Sequence, residues 1–162
     1  MNTERYLAIL DRIKKDPSCH KQDWWHCGTA HCFAGHAQID SGLPINDTTC
    51  ATDASDWLGI SPAFAVWLFA SNRTVADFEA FYSWTDAQRC LAAVQQGGYA
   101  IQYLTDAQRT PEVCLAAVQQ GGYAIQCLTD AQRTPEVCLA AVQQNGHAIQ
   151  YLTDAQRKSI GR

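Results

Sequence analysis

The sequence lacks a basic stretch and a long apolar run, and each absence excludes a class of function. Its 12 Lys and Arg residues stand against 16 Asp and Glu residues, which gives a formal net charge of −4. Binding to nucleic acid depends mainly on a positively charged surface, so we expect no nucleic-acid partner. No segment approaches the roughly 20 consecutive apolar residues that a membrane-spanning helix needs, so we expect no membrane partner.

We expect no export signal in this chain. The segment MNTERYLAILDRIKKD begins polar and has no apolar core followed by small residues. We therefore expect a cytoplasmic protein. Because the cytosol disfavours structural disulfides, the eight cysteines are expected to be reduced thiols or metal ligands.

The second half of the chain is a repeat. The segment TPEVCLAAVQQGGYAIQCLTDAQR, residues 110–133, recurs almost unchanged at residues 134–157, with a period of 24 residues from position 110 to position 134. An earlier copy, residues 85–109, has a second TDAQR in place of TPEV. The repeat divides the chain into a helical domain of residues 1–84 and a repeat array of residues 85–162.

Each copy carries signals for two helices. Thr110 is a suitable N-cap, and Pro111 suits the first helical position, where its missing N–H costs nothing. Gly121 and Gly122 are expected to end this helix in a left-handed conformation, before YAIQCL forms a second short helix. One such hairpin cannot bury its Val, Leu and Ile side chains alone, so neighbouring copies have to cover them. We therefore predict an all-α protein whose repeats form a short right-angled α-solenoid. A bundle of duplicated helical hairpins is the alternative.

Identical side chains at a fixed step favour binding over catalysis. The polar side chains that recur in every copy are expected to form ladders along the surface and to contact a protein partner. Near-identity of the copies is also what recent duplication alone would produce. The expected contact residues are Arg109, Gln119, Gln120, Gln126, Asp130, Gln132, Arg133 and Arg157, together with Tyr99, Tyr123 and His147 at a position that varies between copies.

The repeated cysteines have a different expected role. Cys90, Cys114 and Cys138 occupy equivalent positions on a helix rich in Ala and Val. Stacked helices lie about 8–10 Å apart, which is too far for a disulfide. We expect these cysteines to be small, buried, apolar side chains.

The array resembles two helical repeat families. The segment EVCLAAVQQNGHAIQYL, residues 136–152, is similar to an uncharacterised repeat whose units have the form EVVLAAVKQNGxALxYA. The period is similar to that of leucine-rich repeat variant proteins, whose units alternate an α-helix with a 3₁₀-helix. Neither resemblance implies an enzymatic activity.

The first half reads as a compact set of helices. Residues 3–15 have the spacing of an amphipathic helix, which Asp16 and Pro17 end. Thr29 is the expected N-cap of a later helix, and Thr74 with Asp77 forms an expected capping box. The further expected helices cover residues 30–40, 52–58, 62–70 and 75–84.

The segment WHCGTAHCFAGHA, residues 25–37, concentrates cysteine and histidine. Cys32 and His36 are four residues apart and would share one face of a helix, while Cys27 precedes the N-cap of that helix. These three side chains could hold one ion, and thiolate with imidazole in a tetrahedral site is typical of Zn²⁺. The fourth ligand would be one of Cys19, His20, His26 and Cys50.

Close packing explains the same residues without a ligand. Cys32, Ala34 and Ala37 are small, so the helix could approach bulky tryptophans closely. The thiols would then be free, or Cys27 and Cys32 would form a disulfide. On this interpretation, which we favour, the protein needs no cofactor.

Two further interpretations involve cysteine chemistry. The four cysteines of the first half could hold an iron–sulfur cluster, although they lack close CxxC spacing. Cys32 would lie in the first turn of its helix, where backbone N–H groups stabilise a thiolate, and His31 or His36 could act as a base. A metal- or thiol-dependent enzyme centred on Cys27 and Cys32 is therefore the alternative function.

The first half also resembles an uncharacterised family of small bacterial and phage-type proteins. That family is marked by the pattern W-x-CGTxxCxAGxA followed by LGLTxxxAxxLF, and the resemblance covers residues 5–84. It implies a shared fold without an assigned function. The matching residues are Trp25, Cys27, Gly28, Thr29, Cys32, Ala34, Gly35 and Ala37, followed by LGISPAFAVWLF at residues 58–69.

Taken together, these patterns predict a non-enzymatic protein–protein interaction module. The phage-type resemblance implies an inhibitor or adaptor of host machinery as one subclass. After Arg157 the sequence continues as KSIGR without an evident polar capping helix. We therefore expect the exposed end of the array to allow self-association.

Overall fold

The computed structural model describes residues 1–19, 33–42, 50–70 and 73–162. Every regular element in these residues is a helix, which confirms the all-α prediction. None of the described helices is both long and apolar enough to cross a bilayer. The chain divides into two compact units, Met1–Trp84 and Thr85–Arg162, and the boundary falls where the first TDAQR segment begins.

The first unit contains five described α-helices around a shared core. Helix α1 packs against α2, α3 and α5, and α3 also packs against α2 and α4. The elements are α1 (Thr3–Lys15), the 3₁₀-helix η1 (Pro17–Cys19), α2 (Phe33–Ser41), α3 (Cys50–Leu58), α4 (Pro62–Leu68) and α5 (Val75–Ser83).

Aromatic side chains connect three of these helices. Tyr6 on α1 is fully buried, and its hydroxyl donates to the carbonyl oxygen of Phe78 on α5 at 2.7 Å. The ring of Phe33 on α2 lies 5.0 Å from that of Tyr6 and 4.5 Å from that of Phe78, measured between centroids. Such ring pairs stabilise a core beyond the area that they bury, so the three helices are held by one aromatic cluster.

The capping box predicted at the start of α5 is confirmed. The backbone N–H of Thr74 donates to Asp77 Oδ2 at 2.7 Å, and the backbone N–H of Asp77 donates to Thr74 Oγ1 at 3.3 Å. The hydrogen bond from the Thr74 backbone lowers the pKa of the Asp77 carboxyl group. Two helix N–H groups without intrahelical partners are thereby satisfied.

The second unit alternates α-helices with 3₁₀-helices. Each copy pairs one of each kind. Helix α7 packs between α6 and α8, and η3 packs between η2 and η4, so successive copies stack on one another. The right-angled geometry of the solenoid stays a prediction. The elements are α6 (Asp86–Gln96), η2 (Gly98–Tyr103), α7 (Pro111–Gln120), η3 (Gly122–Cys127), α8 (Pro135–Gln144), η4 (Gly146–Tyr151) and α9 (Asp154–Ser159).

The predicted helix starts in the array are confirmed. The side chain of Thr110 accepts from the backbone N–H of Val113, and Pro111 occupies the first helical position of α7. In the first copy, Thr85 caps a helix that runs through DAQRCLAAVQQ without a break. Threonine and proline therefore place these starts as the sequence predicts.

The predicted left-handed glycine stop is wrong. Gly121 has an extended backbone with φ −153°, and in the described residues positive φ occurs only at Gly42, Gly59 and Gly161. The N–H of Gly121 still donates to the carbonyl oxygen of Ala117. An extended residue then turns the chain directly into the 3₁₀-helix, so no left-handed residue is needed.

The second glycine of each pair allows close contact between copies. A Cβ atom added at Gly122 would lie 2.5 Å from the carbonyl oxygen of Ala141 on α8, and one added at Gly98 would collide in the same way with that of Ala117 on α7. Such distances exclude any side chain without a backbone shift. The glycine is therefore required because the next helix rests directly on it.

A short polar helix ends the third copy, at a place where no capping helix was expected. Helix α9 begins with a capping box between Thr153 and Gln156, contains no buried residue and packs against α8. Its TDAQR sequence forms a turn in the preceding copies. The same five residues therefore adopt two conformations within one chain.

Candidate functional site

The cysteine-rich segment lies mostly outside the described residues. This applies to Cys27 and Cys32, whereas His36 lies on α2 with its side chain buried. Within the described residues, no group of three His, Cys, Asp or Glu side chains is placed to hold a metal ion. The zinc site and the thiol-dependent alternative therefore stay predictions.

The repeated cysteines of the array are buried free thiols, as expected. Cys90, Cys114 and Cys138 are each at most 1% exposed and form no disulfide. Burial, with the nearby negative charge of Asp86, raises the pKa of the Cys90 thiol to about 11. Burial also raises the pKa of the Cys114 and Cys138 thiols. Because the thiolate is the reactive form, these three positions are suited to packing and unsuited to chemistry.

Two arginines predicted as partner contacts join successive copies instead. The Nη1 atom of Arg133 donates to the carbonyl oxygen of Tyr151 in the next copy at 2.9 Å, and Nε donates to that of Ile125 in its own copy at 3.2 Å. Arg109 donates in the same way to the carbonyl oxygen of Cys127 at 3.1 Å. We call this arrangement the arginine clasp.

The expectation that guanidinium groups form an outward row is therefore wrong for Arg109 and Arg133. Their side chains are only 15% exposed, whereas that of Arg157 is 38% exposed. The last carbonyl groups of a short helix lack partners within that helix, and the planar guanidinium supplies several donors to them at once. Arg157 bonds only within its own copy, to Ile149 and Asp154.

The glutamine and aspartate of TDAQR also contribute to the stack. The side-chain oxygen of Gln132 accepts from the backbone N–H of Thr129 at 3.0 Å. The side-chain amide of Gln156 donates to Asp130 of the preceding copy at 3.4 Å. Gln132 is half-buried, while Asp130 remains exposed. Both residues thus have an internal partner, and Asp130 also faces solvent.

The glutamine at the end of α8 has a comparable role. Gln144 on α8 accepts from the backbone N–H of Gly122 at 2.6 Å, and its amide donates to the carbonyl oxygen of Gln120 at 3.5 Å. The side chains of Gln119 and Gln120 are exposed. These two predicted contact residues therefore lie on the surface, where a partner can reach them.

A row of exposed and half-buried side chains runs along the 3₁₀-helices. It consists of three equivalent side chains from each copy, which we call the 3₁₀ strip. Tyr99 and Tyr103 in the first copy are 45% and 49% exposed. The members of the strip are Tyr99, Gln102 and Tyr103 in the first copy, Tyr123, Gln126 and Cys127 in the second, and His147, Gln150 and Tyr151 in the third.

Neighbouring copies contact each other along the 3₁₀ strip. The amide of Gln126 donates to the hydroxyl of Tyr99 at 2.7 Å. The rings of Tyr123 and Tyr151 meet edge to face, with centroids 5.9 Å apart. The strip is therefore a row of aromatic rings and amides that recurs in each copy, with contacts between neighbouring copies along it.

Sequence reasoning missed the part that Gly98 and Gly122 play in stacking. A signal was available, because the second glycine of the pair recurs in all three copies, whereas Asn145 replaces the first glycine in the third. A position that accepts asparagine has room for a side chain. The invariant position beside it is the one where another backbone approaches.

Comparison with known proteins identifies one relationship. Residues 110–155 match the model of a family described as a domain of unknown function, DUF4116. The matched segment covers the second copy and nearly all of the third. Neither a curated protein nor a solved structure matches the chain.

Proposed function

We propose that this protein is a non-enzymatic interaction module that binds a protein partner through the 3₁₀ strip. The observation that supports the proposal most directly is the separation of roles within each copy. Glycine, arginine and Gln144 join the copies at the backbone, while six side chains of the strip are exposed: Tyr99, Gln102, Tyr103, Gln126, His147 and Gln150. The exposed side chains of the strip are therefore available to a partner.

The composition of the strip suits protein recognition. Tyrosine is enriched at interface positions that dominate binding energy, because it buries a large rigid surface and carries a hydroxyl group. The glutamine in each copy can add a hydrogen bond that fixes the position of the partner along the strip. The guanidinium groups of Arg109 and Arg133 are already engaged with backbone carbonyls, so the strip is a neutral surface and a poor match for nucleic acid.

An inhibitor or adaptor of host machinery is the subclass that the resemblance of residues 5–84 implies. In this role the repeat array would supply the contact surface for the target. Gln119, Gln120 and Asp130 are exposed and extend the available surface beyond the strip.

Photo-cross-linking in the source cells tests the proposal. A benzophenone amino acid is placed at Tyr103 in the strip or, as the matched control, at Glu112, an exposed residue in the first turn of α7. We expect a discrete protein adduct from position 103 that is lost when Tyr99→Ala and Gln126→Ala are added, and no such adduct from position 112. Equal labelling at both positions, or an adduct that the two substitutions leave unchanged, would contradict the proposal.

A further inference from the structure

The third copy leaves accessible the face that the first two copies bury. Val118 and Ile125 of the second copy are fully buried, whereas the equivalent Val142 and Ile149 are only half-buried. Gly146 is exposed, and a Cβ atom added there would find nothing within 4 Å. Helix α9 packs against α8 but leaves these residues accessible.

We propose that this face is a docking seat for one further two-helix repeat unit, carried by a separate protein chain. The seat is formed by Val142, Gly146, Ile149 and Arg157. It is a different surface from the 3₁₀ strip, so the inference goes beyond the proposed function.

The two interfaces inside the array define the chemistry of the occupant. At the equivalent positions, a helix places the carbonyl oxygen of an alanine over the glycine. At the second of these interfaces, a glutamine three residues after that alanine accepts from the glycine N–H, as Gln144 does from Gly122. The occupant is therefore a helix with Ala and Gln in this spacing, because the seat continues an interface that the chain already forms twice.

Arg157 adds a second point of recognition. Arg109 and Arg133 each donate to a carbonyl oxygen at the end of the next 3₁₀-helix. Arg157 keeps the bond to its own 3₁₀-helix, through Ile149, and is the most exposed of the three. A docked unit whose second helix is a 3₁₀-helix would supply the acceptor for its Nη groups and complete a third arginine clasp.

A second copy of this chain is a poorer occupant. In such a copy, α7 and α8 already rest on preceding glycines, so only α6 would be left to enter the seat. Helices α7 and α8, the two that rest on a glycine, both begin with a threonine cap followed by proline, whereas α6 runs on from TDAQR without a proline. The observations therefore favour a repeat unit of the α7 and α8 type on a separate chain.

Titration with a repeat peptide tests the seat directly. The probe is a fluorescently labelled, reduced peptide of residues 110–133, added to the full chain. We expect saturable binding that Gly146→Ala weakens about tenfold or more, because the new Cβ blocks the approaching carbonyl. Gly121→Ala is the matched control, since Gly121 also has open space around its Cα. It should leave binding unchanged.

A four-copy chain provides a second measurement, which does not require the isolated peptide to fold. Inserting one more 24-residue unit after Arg157 should make Gly146→Ala destabilising, whereas the same substitution is neutral in the natural chain. Absence of saturable peptide binding, or an equal effect of Gly146→Ala in both chains, overturns the proposal. Concentration-dependent self-association that Gly146→Ala abolishes would also overturn it, since the occupant would then be a second copy. The cross-linking experiment at Tyr103 tests the 3₁₀ strip, so its outcome does not depend on whether the seat is occupied.

Discussion

Single residues of the array have to satisfy neighbours on two sides. Cys90 lies on α6, and its thiol is buried. Arg133 spans two copies and satisfies one backbone carbonyl in each. On the 3₁₀ strip, Tyr99 accepts a hydrogen bond from Gln126 of the next copy and is still 45% exposed. Position within the stack therefore determines how much of a side chain is left for recognition.

The raised pKa of Cys90 predicts a loss of stability at alkaline pH. The thiol ionises at a pKa of about 11 in the folded chain, against an ordinary value of 9.0. The folded state therefore retains a proton that the unfolded state releases, so the free energy of unfolding falls as the pH rises between these two values. Comparing the wild type with Cys90→Ala by urea unfolding at about pH 8 and about pH 11 should show a smaller alkaline loss in the variant, by on the order of 2 kcal/mol.

The full pH profile of both proteins provides the control. Below about pH 8 the thiol is protonated in both states, so the difference between wild type and Cys90→Ala should stay constant there. A wild type and a variant that lose stability equally above pH 9 would show that the Cys90 thiol ionises as readily in the folded chain as in the unfolded one.

At the scale of elements, TDAQR shows how context selects a conformation. In every copy the glutamine closes back onto the threonine N–H, as Gln88 does at Thr85 and Gln132 does at Thr129. The TDAQR of residues 105–109 is followed by Thr110 and then Pro111. The proline holds Thr110 in an extended conformation, so this segment remains a turn. The TDAQR segments that are followed directly by Cys90 and by Lys158 instead form the start of a helix, α6 in the first case and α9 in the second.

The arginine clasp predicts unequal costs for two equivalent substitutions. Arg133→Gln removes the donors of two backbone carbonyls in adjacent copies, which should cost about 1–3 kcal/mol of unfolding free energy. Arg157→Gln removes contacts within one copy at a more exposed site, and should cost less. Urea denaturation of the two variants at neutral pH compares them directly.

Arg133→Lys is the control that keeps the charge. A lysine ammonium cannot reproduce the planar set of guanidinium donors, so this variant should be destabilised almost as much as Arg133→Gln. Full stability of the lysine variant, or equal losses for Arg133→Gln and Arg157→Gln, would refute the clasp.

Local signals made the helices predictable from sequence. Thr110 and Pro111 fix a helix start through their own backbone geometry, and the 24-residue period shows that the copies are equivalent. The arginine clasp and the close approach at Gly122 were not predicted, because both depend on where the backbone of the next copy lies. From the repeat alone, Arg133 reads as a surface residue, since nothing in its own copy indicates that Tyr151 lies within reach.

At the scale of the whole molecule, the array is a stack in which each copy depends on its neighbour. The buried Val and Ile of one copy are covered by the next, so the stack gains stability as copies are added. The face left accessible on the third copy follows from the same rule.

The free energy of unfolding of Gly122→Ala, measured beside Gly121→Ala, tests the central claim that successive copies rest backbone against glycine. A methyl group at Gly122 meets the carbonyl oxygen of Ala141, whereas one at Gly121 meets nothing within 4 Å. We predict that Gly122→Ala loses about 1–3 kcal/mol or more, and that Gly121→Ala is unchanged or gains up to about 1 kcal/mol. Equal stability of the two variants would contradict the stacked arrangement.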